Sequence, residues 1–412
     1  MLDPRLIREN PKLVKETLKA RQLDTKLVDE FLEKDKRYRE LKLKLDKLRH
    51  KSNLISEEIN KLKKENRAEE AEKKINEARE IAKEIAELED KVRKYKQELD
   101  KIMLVFPNLV SKEVPKKEKI VEEWGKPKRE KWQKSYIELN KKLELIDFES
   151  AVGMSGEGFY VLTNEGAMLQ RALINFCLDV AIKNGYKEQF LPVLLNKKAV
   201  TASGHLPKFE EGMYKTTDGF YLSPTEEVPL LNLYAGKKLS HKELPINLTA
   251  YMLSFRTEKG ATKGIVRAHQ FDEVELFKIT KQEESSKELV KMVKDATKPL
   301  KLLKLPYRIK LLPAYEIAFQ SAITYDIDVY ASVSGWLEVS SCSNCLDFQA
   351  RRARIFYFEK GQKKLVHTLN GTGLGINRLF VALLENYQQK DGSVKIPKVL
   401  QKYCGIEKIE PK

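Results

Sequence analysis

The sequence predicts an α+β protein in which an antiparallel sheet flanked by helices follows an N-terminal antiparallel helical coiled-coil hairpin. Three observations carry this expectation. Residues 27–103 contain no Pro or Gly and are dense in Lys, Glu, Leu, Ile and Ala, the composition of long helices. Beyond about residue 135 the texture changes, with β-branched and aromatic runs alternating with glycines and helical stretches, as in a sheet with segregated helices. A chain of 412 residues also exceeds one small domain and suits two. The expected division is residues 1–110, including an arm over about 27–103, and residues 111–412.

From the N-terminus, Pro4–Ala20 reads as helix-sized segments. A first apolar seam then runs through Phe31, Tyr38, Leu41, Leu45, Leu48, Ser52, Ile55, Ile59 and Leu62. Past Tyr38 its steps alternate between three and four, the heptad spacing of a coiled coil. The polar stretch Lys63–Glu70 interrupts it, and a second seam follows at Ala78, Ile81, Ile85, Leu88, Val92, Tyr95, Leu99 and Ile102. At about 1.5 Å per residue, two helices of roughly 36 residues make an arm about 55 Å long. A dimerising coiled coil has the same composition. The central turn and the flanks, Pro4–Ala20 before and Phe106-Pro107-Asn108 after, favour a hairpin excursion from a small domain. A charged linker, Ser111–Lys134, leads into the second part.

Composition excludes some classes. Met1–Ala20 carries Asp3, Glu9 and Glu16 and no apolar run, unlike a signal peptide, and no stretch approaches a membrane span. A cytosolic protein with no membrane partner is expected. The formal charge of +16 suggests polyanionic partners, although the excess is spread over both parts and a general lysine bias explains it equally well. Of Cys177, Cys342, Cys345 and Cys404, only Cys342 and Cys345 have metal-site spacing, and neither a second pair nor a nearby His accompanies them. Reduced structural thiols are expected, and no zinc. His50, His241, His269 and His367 read as structural.

Four blocks hold the unusual residue combinations. Phe255-Arg256-Thr257-Glu258 and Arg267 to Leu276 read as two strands of a hairpin. Alternation places Arg256 and Glu258 on one face of the first, and Phe271, Glu273 and Glu275 on one face of the second. A guanidinium beside carboxylates and a ring suits a nucleotide. The block His367 to Arg378 is glycine-rich, but its spacing is wrong for a dinucleotide fingerprint. It reads as a close approach to a helix beginning near Arg378. Leu222 to Pro229 and Trp336 to Cys345 set hydroxyls beside carboxylates, a pattern that capping turns also produce.

These blocks resemble the class II aminoacyl-tRNA synthetases. Phe255–Glu258 with His269–Glu275 is similar to motif 2, Gly371–Arg378 to motif 3, and the helix Leu169–Lys183 with its following strand to motif 1. Within that class, Gly204-His205-Leu206-Pro207-Lys208-Phe209, Thr225-Glu226-Glu227, Glu338 to Cys345, Asp347 to Arg352 and Leu384 to Gln388 resemble the seryl enzymes, as do Met1–Asp24 and the arm. The resemblance implies activation of serine with ATP and its transfer to tRNA(Ser), with tRNA(Sec) a second candidate substrate. It implies that Arg256, Glu338 and Arg378 are catalytic. Thr225, Glu227, Arg256, Glu275 and Thr372 would bind serine. Arg256, Thr257, Glu258, Phe271, Glu338, Val339, Ser340, Ser341 and Arg378 would bind ATP, with Glu338 and Ser341 facing Mg2+. Lys36, Arg37, Arg39, Lys42, Lys44 and Arg49 would contact tRNA, and a homodimer is implied. The chain departs from the family in a short loop between Glu258 and Arg267, in Thr372 where many members have Ser, and in His205 for a common Gln.

Overall fold

The computed structural model describes residues 1–257 and 264–412. They form two compact units, Leu2–Phe106 and Pro107–Lys412, the second including Met1.

In the first unit, helices α1 (Pro4–Glu9) and α2 (Pro11–Ala20) each open on a proline, whose missing N–H costs nothing in the first turn. The Asp3 carboxylate caps α1 by accepting from the Arg5 N–H. Helices α3 (Lys26–Lys64) and α4 (Ala68–Val105) make the hairpin. Every position of the two sequence seams is buried or half-buried, Ser52 included. Leu41, Leu45 and Leu88 form the middle of the stripe, with Leu48, Ile85, Val92 and Tyr95 packed on them. Exposed ion pairs cross between the helices, among them Lys34–Glu98 at 2.6 Å and Arg49–Glu89 at 2.7 Å. Such pairs add little net stability but oppose a slip in register. Near the open end, Phe31 meets Phe106 edge-to-face at 6.0 Å.

The second unit is built on eight strands: β1 (Lys119–Trp124), β2 (Lys187–Gln189), β3 (Ile246–Phe255), β4 (Gln270–Thr280), β5 (Tyr307–Leu311), β6 (Ile323–Ala331), β7 (Gly335–Asn344) and β8 (His367–Gly375). Their spatial order is β1-β5-β6-β7-β8-β4-β3-β2. Every neighbouring pair is antiparallel except β2 with β3 at one edge, which is parallel. Helices α5 (Asn164–Lys183), α7 (Ser285–Leu302) and α8 (Ile376–Tyr387) pack on the sheet, while the short α6 (Glu227–Asn232) follows the Thr225 loop. Leu173, Phe176, Met292, Phe380 and Leu383 join Val274, Leu276, Ile327 and Val329 in one core. Period-two alternation along β4 sends Val274 and Leu276 into that core and turns Phe271, Glu273 and Glu275 toward a cleft.

The glycine-rich block differs from its expected form. It is a strand in the interior of the sheet as far as Gly375, and α8 starts at Ile376. A Cβ on Gly371 would lie 2.8 Å from Cys342 Sγ, and one on Gly373 would lie 2.9 Å from the Val274 carbonyl oxygen. Glycine is needed there for close packing. All four cysteines are buried free thiols, and burial pushes the Cys342 thiol up to about 12. No helix among the described residues is long and apolar enough to cross a membrane.

Candidate active site

The β3–β4 hairpin supplies the first wall. Pairing continues past Phe255, where the Arg256 N–H donates to the His269 carbonyl at 2.9 Å. The Arg256 side chain is then fixed at two points. Its Nε donates to the Pro224 carbonyl at 3.1 Å, and its guanidinium carbon lies 4.9 Å from the centre of the Phe271 ring. The ring face attracts the cation and holds its donors at the cleft. Behind them, the Asp272 carboxylate accepts from Tyr251 at 2.6 Å and from Gln170, so this part of β4 is anchored.

The opposite wall comes from β7 and the start of α8. Arg378 Nη1 donates to the Glu338 carbonyl at 2.7 Å and its Nε to the Val266 carbonyl at 3.2 Å. Its Nη1 also stands 3.8 Å from the Glu338 carboxylate. Two backbone carbonyls thus aim a second guanidinium at the cleft, as the sequence position at a helix start suggested.

The floor is acidic and buried. Glu227, at the start of α6, is 4% exposed, and its carboxylate accepts from Gln320 Nε2 at 3.2 and 3.3 Å and from Gln349. Burial pushes its carboxyl up to about 7, against the opposing hydrogen bonds. The Thr225 hydroxyl accepts from the Glu227 N–H at 3.2 Å. Glu275 lies opposite Thr372 in the β4–β8 register and accepts from the Gly371 N–H at 3.2 Å. Burial, then the charges of Glu273 and Glu227, hold it well above the carboxylate range.

Thr225, Glu227, Arg256, Thr257, Phe271, Glu275, Glu338, Val339, Ser340, Ser341, Thr372 and Arg378 all line one cleft of about 550 Å³. That volume is in the roughly 300–1,000 Å³ range of small-molecule sites. Glu258 and most of the short loop after it lie outside the described residues. The six arm cations are exposed on α3. Arg37, Arg39, Lys44 and Arg49 are ion-paired to Glu40, Asp35, Glu84 and Glu89, so contact with a phosphate there would require exchange of partners.

Comparison with known proteins accounts for both units. A family model described as the seryl-tRNA synthetase N-terminal domain matches residues 1–110, and one described as the tRNA synthetase class II core domain (G, H, P, S and T) matches residues 208–387. The serine–tRNA ligase of Methanosarcina barkeri is 45% identical over 98% of this chain and 97% of its own. The chain belongs to the seryl-tRNA synthetase family. Among solved structures, the Pyrococcus horikoshii seryl-tRNA synthetase complexed with ATP superposes with a TM-score of 0.94 at 35% identity, all of both chains being covered. The cytoplasmic serine–tRNA ligase of Naegleria fowleri in complex with AMP gives 0.88 at 27% identity, over 100% of this chain and 99% of that one.

The cleft also contains residues that sequence reasoning assigned no role: His205, Gln320, Asn370 and Asn377. Asp326, beside the expected metal residues but not itself lining the cleft, also had no role assigned. It lies opposite Ser341 in the β6–β7 register and is 6% exposed, and its Oδ1 has no hydrogen-bond partner among the described residues. Burial and the neighbouring Glu338 charge push its carboxyl up to about 7. Two carboxylates and a hydroxyl, one oxygen orphaned, are hard donors that fit a divalent cation accompanying ATP in this family.

Proposed function

We propose that this cleft joins L-serine to ATP as seryl-adenylate, releasing pyrophosphate, and that serine then passes to the 3′ end of tRNA(Ser). The convergence of both guanidiniums with the acidic, hydroxyl-lined floor in one cavity carries the reading. Serine's carboxylate is already ionised at neutral pH. A carboxylate oxygen forms the new bond to the α-phosphorus while pyrophosphate leaves with the electron pair. The protein therefore supplies positioning and charge stabilisation.

Arg256 holds the α-phosphate and the serine carboxylate. Phe271 and Glu258 hold adenine, beside Thr257 and the Val339–Ser341 strand, and Arg378 meets the distal phosphates or the other face of the base. Asp326, Glu338 and Ser341 would hold Mg2+, which neutralises phosphate charge when bound. Thr225 and Glu227 meet the serine ammonium, and Glu275 with Thr372 its hydroxyl. A buried site built to hydrogen-bond a hydroxyl disfavours alanine and glycine, because its own polar groups would be left unpaired. The terminal ribose hydroxyl of tRNA then attacks the adenylate carbonyl and AMP leaves. The reading extends to a cytosolic homodimer with residues 1–110 as the tRNA-binding part, residues 111–412 as the catalytic part, and tRNA(Sec) as a second candidate substrate.

Amino-acid-dependent exchange of pyrophosphate into ATP tests this. Serine should support exchange, while threonine, alanine and glycine should each fall about 10²-fold or more below it. Exchange with none of the four, or equally with all, would overturn the assignment. The same assay reads Glu227. Its carboxyl sits near 7, and only the ionised form attracts an ammonium. On its account kcat/KM for serine should therefore rise through about pH 7 and level off about a unit above, and Glu227→Gln should remove that rise while lowering kcat/KM.

A further inference from the structure

Thr225, Glu227, Phe271 and Glu275 all have places in the proposed site, but Glu226 and Glu273, which lie between them in sequence, have none. Glu226 is fully buried and Glu273 nearly so. With Glu275 they form a group of three carboxyls, one oxygen from each lying within 4.8 Å of those of the other two. The Ser254 hydroxyl stands 3.4 Å from both Glu226 Oε2 and Glu273 Oε1. The other oxygen of Glu226, Oε1, is buried without a hydrogen-bond partner among the described residues. Further titratable groups facing the cluster are Glu227, Tyr251, Cys342 and Arg256, the last two through Glu275.

Carboxylates this close and this buried cannot all remain ionised, because like charges repel more strongly away from bulk water. We propose that Glu226 and Glu273 share one proton in a carboxyl–carboxylate hydrogen bond, and that this link is a positioning device clamping the Thr225–Glu227 loop to strand β4. An oxygen of each lies within 4.8 Å of the other and both stand 3.4 Å from the one Ser254 hydroxyl, and burial with the Glu273 charge holds Glu226 well above the carboxylate range. Glu226 follows Thr225 and precedes Glu227, whereas Glu273 lies midway between Phe271 and Glu275 on the paired strand. A bond between them fixes the distance between the Thr225–Glu227 loop and Glu275, the two parts of the floor that meet serine. Ser254 on β3 adds a third point of attachment. The inference rests on the serine-site reading given above.

The test uses the full-length protein. Infrared difference spectra at neutral pH between the native chain and Glu226→Gln should show one protonated-carboxyl carbonyl band that shifts in D2O and is absent from the variant. In pyrophosphate exchange, Glu226→Ala should raise the serine KM by about tenfold with the ATP KM within about twofold, as expected for one lost buried hydrogen bond. Glu226→Gln, whose amide can donate to the Glu273 carboxylate, should recover most of that loss. The native serine KM should also rise at alkaline pH as the shared proton leaves. Glu226→Gln should keep only the rise due to serine's own ammonium. Absence of the difference band, or a Gln variant as impaired as the Ala variant, overturns the proposal. Should the native chain show no serine-dependent exchange at any pH, the positioning role falls with the serine-site reading, while the infrared band still decides the shared proton independently.

Discussion

Replacing Arg256 with alanine is expected to slow serine-dependent pyrophosphate exchange by about 10²- to 10³-fold, the loss typical of one preorganised charge-stabilising donor. The side chain is exposed and, among the described residues, is held by the Pro224 carbonyl and the Phe271 ring, so its removal leaves the core intact. The melting temperature should stay within a degree or two of the parent. Arg256→Lys should recover little. A lysine ammonium cannot stack flat on Phe271 and bridge two oxyanions at once, because its donors radiate from a point while those of a guanidinium lie in a plane. Initial-rate exchange kinetics and thermal denaturation on the same preparations separate the two effects. A fully active alanine variant would remove Arg256 from the chemistry.

Deleting Lys26–Met103 is expected to spare exchange within about twofold while slowing tRNA charging by about 10³-fold or more, as the loss of six phosphate contacts would do. The cleft is formed within the unit Pro107–Lys412, and the deleted helices belong to the other unit. Because Arg37, Arg39, Lys44 and Arg49 are already ion-paired on the arm, each phosphate contact would exchange one partner for another. Charging by the intact protein should accordingly weaken with salt, with a log–log slope of about −0.7 per contact made. Exchange should be much less sensitive. Deletion protein that charges tRNA normally would contradict the role given to the arm.

The parts of the fold that follow from a local period were legible in the sequence. The heptad steps from Tyr38 to Leu62 and from Ala78 to Ile102 mark the faces that are buried, because a two-helix seam depends on nothing beyond its own spacing. Alternation likewise placed Phe271, Glu273 and Glu275 together. The block His367–Gly375 misled because glycine is depleted from strands. It is tolerated here where Cys342, Met292 and the Val274 carbonyl leave no room for a Cβ, a long-range fact with no local signature. Gln320, Asn370 and Asp326 were missed for a related reason. Gln320 and Asn370 are single polar residues whose partner, Glu227, comes from a distant segment, and Asp326 meets Glu338 only across the register of β6 with β7. An orphaned or bridging oxygen becomes visible only after the strands are paired. Gln349 was quoted within a family-like string, yet its contact with Glu227 could not be read from spacing.

The most direct test of the account is a crystal structure with a non-hydrolysable seryl-adenylate analogue whose sulfamoyl group replaces the α-phosphate. Arg256 should bind the sulfamoyl oxygens, the adenine should lie against Phe271 with Arg378 alongside, and the seryl group should contact Thr225, Glu227, Glu275 and Thr372. An analogue bound outside this cleft, or bound within it with Arg256 turned away and the seryl group far from Glu227 and Glu275, would contradict the account.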